Sequence, residues 1–230
     1  HRKDLKVGLW HPTTGYWHGI DPTGEIRKKY ENLLFFTHSL QLVPRFDRDS
    51  LSEYYTAQHG YYRECGIDFI KIDKQSCLRN YAKAVLPIGK SSENLNRTID
   101  ETAYRYYDGQ ITNCMGMALE NFYDRPRSAV CRFSGDFRPE NREWFIQHIL
   151  QCSFNDLMHG TVYYGDWDMW WSDDGQAIKN AVLRAMSGGP IYISDRLSKS
   201  VAQIILPTVF QDGRIIRLKS LALPTRDCLF

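Results

Sequence analysis

The sequence predicts an α/β protein with the architecture of a (β/α)8 barrel of the TIM type, incomplete in this chain, with about six of the eight strands visible. Short strand-like runs alternate with longer helical patterns, which is typical of βαβ units and a parallel sheet. The length of 230 residues is somewhat below the ~250 residues of a complete barrel. Compact polar motifs also follow several strands, where barrel enzymes carry their active sites.

Six apolar, β-branched runs predict the strands of the sheet. They cover residues 6–10, 67–72, 110–115, 129–133, 161–164 and 190–194.

Four longer segments between these runs have helical patterns. They cover residues 51–64, 92–107, 140–157 and 174–186. Asp49 or Ser50 is the predicted N-cap of the first helix, and Gly188-Gly189-Pro190 is the predicted stop signal of the last.

The predicted domain organisation is a barrel domain over residues 1–202, missing upstream strands, followed by a C-terminal hairpin over 203–230. The hairpin is predicted from the Asp212-Gly213 turn between apolar runs, and it would lead toward a further β domain. Residues 21–48 form a long excursion after the first strand, which predicts a small hairpin or a lid over the barrel mouth.

Composition excludes several classes of function. Apolar residues make up 43% and aromatic residues 13% of the chain, which suffices for a globular core. The net charge of +2 comes with no basic run, so we expect no nucleic-acid partner. No apolar stretch approaches the ~20 residues of a membrane span, and no signal-peptide pattern occurs. The abrupt start at His1 suggests a fragment or a processed product, so an upstream targeting segment is left open.

The six cysteines form neither a CxxC pair nor a Cys/His metal spacing. We therefore interpret them as reduced packing residues, which favours a cytoplasmic setting without fixing the localisation. No metal or other cofactor is expected, and the sequence does not indicate an oligomeric state.

The most informative segment is the predicted strand 67–72, which ends in Lys71-Ile72-Asp73. Side chains alternate across a strand, so Phe69, Lys71 and Asp73 share one face. Charged groups in a sheet covered by helices are costly unless they are paired or functional. A structural salt bridge would explain this motif if it stood alone.

Two further polar motifs follow later strands. Arg132 and Asp136 lie at the end of the fourth visible strand, and Asp166-Trp167-Asp168 follows the fifth. Residues at the carboxyl ends of barrel strands converge on one mouth. Two carboxylates facing each other across a sugar ring are the catalytic groups of a glycosidase, and tryptophans such as Trp10 and Trp167 offer the sugar an apolar platform.

Two other classes of function remain open at this point. Asp73, Asp136 and Asp168 could bind Mg²⁺ in a lyase or isomerase, with Lys71 as the base. The chain could also be a non-catalytic carbohydrate-binding protein, although such a module has no need of paired acids.

The motifs together resemble the raffinose synthase and seed imbibition protein branch of glycoside hydrolase family 36. The resemblance runs nearly end to end and in order. Its motifs are Val7-Gly8-Leu9-Trp10-His11 with Thr14-Gly15-Tyr16-Trp17, Leu42-Val43-Pro44 with the segment 65–75, Arg132-Phe133-Ser134-Gly135-Asp136-Phe137-Arg138-Pro139 with His148-Ile149, Asp166-Trp167-Asp168-Met169, and the segments 187–195 and 224–230.

The resemblance implies a retaining α-galactosidase-like enzyme that acts on an oligosaccharide or galactoside. It implies Asp73 as the nucleophile and Asp136 as the acid/base. Lys71 and Arg132 would bind substrate, and we add Trp10, Asp166, Trp167 and Asp168 to the predicted substrate site. Hydrolysis and transglycosylation are not distinguished, because both share the glycosyl-enzyme intermediate.

The chain departs from the family pattern in two places. Plant members usually have Ser-Asp-Asp-Phe where this chain has Ser134-Gly135-Asp136-Phe137, and residues 113–117 lack the usual Cys-Met-Ser-His-Asn. The N-terminal domain and first strands expected of the family are also absent from this sequence.

Overall fold

The computed structural model describes residues 5–228. Residues 1–4 and 229–230, which include the end of the last resemblance motif, lie outside the described residues. The chain forms two compact units, residues 1–129 and 130–230, and each is described by itself.

The first unit is built on a three-stranded parallel sheet. Its strands are β1 (Gly8–Pro12), β4 (Phe69–Asp73) and β5 (Ile111–Asn113), and β4 lies in the middle. The register places Lys71 opposite Trp10 on one side and Thr112 on the other. The predicted excursion contains a real hairpin, in which β2 (Leu34–Phe36) pairs antiparallel with β3 (Leu42–Pro44).

The helices of this unit are α1 (Glu25–Lys29), α2 (Arg48–Glu64), α3 (Leu78–Tyr81), α4 (Ile88–Tyr107) and α5 (Leu119–Phe122). Short 3-10 turns occur at Glu31–Leu33 and Gln75–Cys77. Helix α2 begins earlier than predicted because Asp47, and neither Asp49 nor Ser50, is the N-cap: its carboxylate accepts the Ser50 N–H at 2.9 Å.

One face of this sheet is buried in the core, and the other is partly exposed to solvent. Ile70 and Ile72 are fully buried against α2 and α4, whereas Phe69 is exposed and Lys71 and Asp73 are half-buried. The alternation predicted for this strand is therefore confirmed. The polar face of β4 is the one that can meet a ligand.

A buried histidine pair joins β1 to α2. The Nε2 atoms of His11 and His59 lie 3.1 Å apart, and both side chains are inside the core. Burial lowers the pKa of His11 to about 4. The pair is therefore neutral at physiological pH and acts as a polar packing element.

The second unit contains the parallel pair β6 (Val130–Arg132) and β7 (Tyr164–Asp166). Its helices are α6 (Arg142–His159), α7 (Ala177–Ser187) and α8 (Ala202–Ile205), with 3-10 turns at Leu206–Thr208 and Arg226–Cys228. The predicted stop signal of α7 is confirmed, since Gly188 ends the helix with a φ of 73° that suits glycine.

Two predicted elements of this unit differ in the structure. Residues 190–194 were expected to form a strand, but they contribute only an isolated parallel bridge between Ile193 and Trp170. The Asp212-Gly213 turn does reverse the chain, with an antiparallel bridge from Val209 to Ile215 and hydrogen bonds from the Phe210 N–H to the Arg214 carbonyl and from the Ile216 N–H to the Thr208 carbonyl. The apolar run before it, however, is helical and packs beside α7. The domain boundary at residue 202 stays a prediction.

All six cysteines lie within the described residues, and none of them forms a disulfide. Cys114, Cys131 and Cys152 are buried, as expected of packing residues, whereas Cys65 and Cys228 are exposed.

Asp156 on α6 makes the stability of the second unit depend on pH. Burial raises the pKa of this carboxyl to about 7, an effect partly offset by the Trp167 indole. Between pH ~4 and ~7 the folded chain therefore holds a proton that the unfolded chain has lost, so the free energy of unfolding falls as pH rises through this range. Urea titrations at several pH values should show that fall, and the isosteric Asp156→Asn variant should flatten it. An unchanged pH slope in the variant would contradict this account.

Candidate functional site

Asp73, the predicted nucleophile, ends β4 with both carboxylate oxygens hydrogen-bonded. The indole Nε1–H of Trp10 donates to Oδ2 at 3.0 Å, and the backbone N–H of Lys74 donates to Oδ1 at 2.7 Å. The carbonyl oxygen of Asp73 accepts the Thr13 N–H at 2.9 Å. Neutral donors on the neighbouring strand and on the next residue therefore fix the orientation of this carboxylate.

An aromatic cluster lies beside Asp73. The rings of Trp10 and Trp17 are stacked, with centroids 5.9 Å apart and planes inclined by 25°. They are 48% and 43% exposed, which leaves ring surface available to a sugar. Trp10 was predicted as a substrate residue, and its position beside Asp73 is compatible with that role.

Lys74 ties this cluster to the end of β4. Its backbone is left-handed, with φ 63°, and its ammonium donates to the Trp17 carbonyl. The same nitrogen lies 4.6 Å from the centroid of the Trp17 ring and 5.3 Å from that of Tyr81. The residue after Asp73 thus holds the loop that carries Trp17.

Lys71 lies half-buried on the same sheet face as Asp73, two residues before it on β4. Its neighbours across the sheet are Trp10 and Thr112. The paired strands β1 and β4 therefore place an ammonium, a carboxylate and an indole on one face. This is the arrangement that the Lys-x-Asp motif predicted.

In the second unit, Arg132 at the end of β6 is the centre of the polar motif. Its Nη2 donates to Asp168 Oδ2 at 2.6 Å, to Asp136 Oδ1 at 3.0 Å and to the Gly135 carbonyl at 3.0 Å. The Arg132 and Asp168 side chains are each 3% exposed, whereas that of Asp136 is 90% exposed. One buried guanidinium therefore contacts both an internal and a solvent-facing carboxylate.

Asp168 organises the loop that carries Asp136. Its Oδ2 accepts the Phe137 N–H at 2.6 Å as well as the Arg132 guanidinium. Asp166 is buried behind it, and both oxygens of Asp166 accept the Tyr192 hydroxyl, at 2.9 and 3.0 Å. Burial raises the pKa of Tyr192, and the two neighbouring carboxylates raise it further. Tyr192 therefore remains a hydrogen-bond donor.

Arg184 of α7 supports the same loop from inside the unit. This side chain is fully buried, and its Nε donates to the Asp168 carbonyl at 2.8 Å while Nη2 donates to the Met169 carbonyl at 3.0 Å. His148 of α6 lies 2.9 Å from the Trp167 carbonyl. Side chains of two helices thus hold the segment that follows β7.

The structure groups the predicted site residues within each unit. Lys71, Asp73 and Trp10 come together in the first unit, and Arg132, Asp136, Asp166 and Asp168 come together in the second. Trp167 is 3% exposed and packed inside the unit, so its burial does not favour the predicted contact with sugar. The roles of these residues toward a substrate stay predictions.

Sequence reasoning did not single out four contributors to these arrangements. Trp17 and Lys74 were visible in the motifs but had no assigned role. Tyr192 and Arg184 lie 26 and 16 residues from the atoms that they contact on Asp166 and Asp168. One sequence signal could have indicated Arg184. It is an arginine on the buried side of α7, and a buried charge requires partners.

No group of three or more His, Cys, Asp or Glu side chains is placed to hold a metal ion among residues 5–228. Within the same range, no helix has the length and apolar character needed to cross a bilayer.

The fold is also found in solved glycosidases. The α-galactosidase TtGalA from Thermus thermophilus, in complex with stachyose, matches 87% of this chain and 48% of its own, with a TM-score of 0.58 and 14% identity. A β-L-arabinopyranosidase of family GH27 from Geobacillus stearothermophilus matches 87% of this chain and 52% of its own, with a TM-score of 0.53 and 14% identity. The chain therefore has the fold of part of a (β/α) barrel, as predicted.

Sequence comparison identifies the family. The family model described as raffinose synthase or seed imbibition protein Sip1 matches residues 1–230, so the chain belongs to that family. A probable galactinol–sucrose galactosyltransferase 6 from Arabidopsis thaliana is 29% identical over 97% of this chain and 32% of its own length. A stachyose synthase from Pisum sativum is 30% identical over 97% of this chain and 29% of its own. The chain thus spans about a third of the length of the curated relatives it matches.

The buried ion pair predicts a large effect of truncating Asp168. Asp168→Ala should lower the free energy of unfolding by about 3–5 kcal/mol, because it leaves the Arg132 guanidinium buried without its closest partner. Asp212→Ala is the matched control, since it removes an exposed carboxylate bound to Arg214 in the same unit and should leave stability nearly unchanged. Equal denaturation midpoints for the two variants would show that the pair does not stabilise the unit.

Proposed function

We propose that this chain carries the catalytic residues of a retaining enzyme that transfers α-linked galactose from a galactoside donor to a sugar acceptor. The observation that carries the proposal is the fixed carboxylate of Asp73, held by the Trp10 indole at the end of β4 and flanked by exposed aromatic rings. Such a carboxylate can attack an anomeric carbon while the rings contact the apolar face of the sugar.

Asp73 acts as the nucleophile in this proposal. Its oxygen forms a bond to the anomeric carbon as the bond to the leaving oxygen breaks. Asp136 gives its proton to that oxygen, so a neutral alcohol departs. The exposed carboxyl of Asp136 is accessible to such a leaving group. A retaining mechanism requires the two carboxyl groups about 5–5.5 Å apart.

The second step regenerates the enzyme. Asp136, now ionised, removes a proton from the incoming hydroxyl, whose oxygen attacks the anomeric carbon and releases Asp73. A sugar hydroxyl gives transfer and water gives hydrolysis. Transfer is favoured by relatives named as galactosyltransferases and stachyose synthase, whereas a solved structure with the same fold is named an α-galactosidase.

Arg132 and Lys71 have distinct proposed roles. Arg132 holds Asp136 by one oxygen and fixes the direction in which its carboxyl points. Lys71 offers an ammonium to sugar hydroxyls on the same face as the nucleophile. Lys71→Ala should therefore weaken donor binding and slow the reaction without unfolding the unit.

The role of Asp73 has a direct test. Asp73→Asn should lower the rate of galactose release from p-nitrophenyl α-D-galactopyranoside by at least about 10³-fold, because an amide is a poor nucleophile. Asp68→Asn changes an aspartate just before the same strand, where it binds the Val7 N–H and Arg63, and should leave turnover intact. Full activity of Asp73→Asn, with the chain folded, would end the glycosidase proposal.

The role of Asp136 is tested by chemical rescue. Asp136→Ala should still form the glycosyl-enzyme from a donor with a good leaving group, since protonation is then unnecessary. Added azide should restore turnover and yield an α-galactosyl azide of retained configuration, which NMR of the product would show. A product of inverted configuration would instead indicate a single displacement. Loss of activity with a chelator would favour the metal-dependent lyase or isomerase.

A further inference from the structure

We propose that the cavity at the start of α6 is the subsite for the acceptor or leaving-group sugar, with Trp144 as its aromatic floor. This inference rests on the proposed function of Asp136 and names a part of the site that the catalytic pair does not define. It concerns only residues of the second unit.

The cavity has the size and chemistry of a small carbohydrate site. It is open to solvent, has a volume of about 500 Å³ and is lined by Arg138, Asn141, Glu143, Trp144, Ile146 and Gln147. Small-molecule pockets commonly enclose about 300–1,000 Å³. An indole can cover the apolar face of a pyranose, while amide, carboxylate and guanidinium groups pair with hydroxyls. No single-sign charge dominates this lining, so a neutral, hydroxyl-rich ligand fits better than a charged one.

Trp144 is fixed next to the proposed acid/base. Its Nε1–H donates to the carbonyl oxygen of Asp136 at 2.6 Å, and its backbone N–H is bound by the Asn141 side chain at 2.8 Å. The guanidinium carbon of Arg138 lies 4.0 Å from the centroid of the indole ring. A general acid contacts the oxygen that joins the transferred sugar to its leaving group. The Trp144 ring is hydrogen-bonded to Asp136, the residue that supplies this acid. It is therefore well placed to contact the sugar on the far side of that oxygen.

Gly135 explains why the ring can occupy this position. A Cβ atom at residue 135 would lie 3.2 Å from Cζ2 of Trp144 and 3.4 Å from Oε1 of Gln151. A Cβ atom there would require the indole to shift by a few tenths of an ångström. The glycine at which this chain departs from the Ser-Asp-Asp-Phe pattern therefore permits the tryptophan to pack against the loop of Asp136.

The test is a ligand-observed NMR titration of the full chain with sucrose and with raffinose. Trp144→Ala should weaken saturable binding of these probes about tenfold, the loss expected from ~1.4 kcal/mol of ring contact. Trp144→Phe should recover part of the affinity because it retains an aromatic ring. Trp171→Ala is the matched control, since Trp171 also stacks under an arginine, Arg196, at 4.7 Å in the same unit. Its affinity should equal that of the unchanged chain.

Two outcomes would overturn the proposal. One is the absence of saturable binding to the unchanged chain, and the other is equal affinity in Trp144→Ala and Trp171→Ala. The Asp73→Asn chain should bind sucrose with unchanged affinity. The test of the acceptor subsite therefore does not depend on whether Asp73 is the nucleophile. Loss of binding in Asp73→Asn would place the probe beside Asp73 and contradict the assignment.

A kinetic measurement separates an acceptor role from a structural one. With α-D-galactosyl fluoride as donor, whose small leaving group does not fill this subsite, Trp144→Ala should raise the acceptor concentration for half-maximal transfer about tenfold while the donor KM stays unchanged. Equal changes in both constants would show that the variant has disturbed the whole site.

Discussion

The ion pair between Arg132 and Asp168 is the contact on which the second unit's site depends. A buried guanidinium is tolerated only if its N–H groups meet acceptors, and here one nitrogen serves two carboxylates and a backbone carbonyl. Asp168 in turn is held by the Phe137 N–H, and its own carbonyl by Arg184. Charged groups inside the protein therefore fix the shape of the loop that carries Asp136. A substitution at Asp168 would alter this loop at the protein surface.

The two proposed catalytic carboxylates differ in what holds them. Asp73 is oriented by neutral donors: the Trp10 indole, brought close by the β1–β4 pairing, and the backbone amide of the next residue, Lys74. Asp136 contacts a cation that is shared with a buried acid, and most of its surface faces solvent. One group is thus rigidly aimed and the other is accessible. This division suits a nucleophile that must meet a fixed carbon and an acid/base that must serve different alcohols.

The sequence allowed prediction of the features that local pattern determines. Phe69, Lys71 and Asp73 share a face because alternation in a strand is dictated by backbone geometry, and the hairpin within 21–48 followed from its length and turn residues. The prediction of a strand at 190–194 was wrong, because an apolar run does not reveal whether a partner strand is available to pair with it. Tyr192 and Arg184 were missed for a related reason, since their partners are distant in sequence and only tertiary packing brings them together. The N-cap, which is Asp47, was predicted two or three residues too late, because several side chains in this segment can cap a helix.

The left-handed backbone at Lys74 has a consequence for how a ligand would be received. A glycine would relieve this conformation, which costs about 1 kcal/mol in other residues, but it would lose the ammonium that holds the Trp17 loop. The chain therefore accepts a local penalty during folding so that the paired indoles are already ordered. An arriving sugar would not have to immobilise them, and less of its binding free energy would be lost as conformational entropy. The rigidity of this platform is thus set by a residue that need not touch the sugar at all.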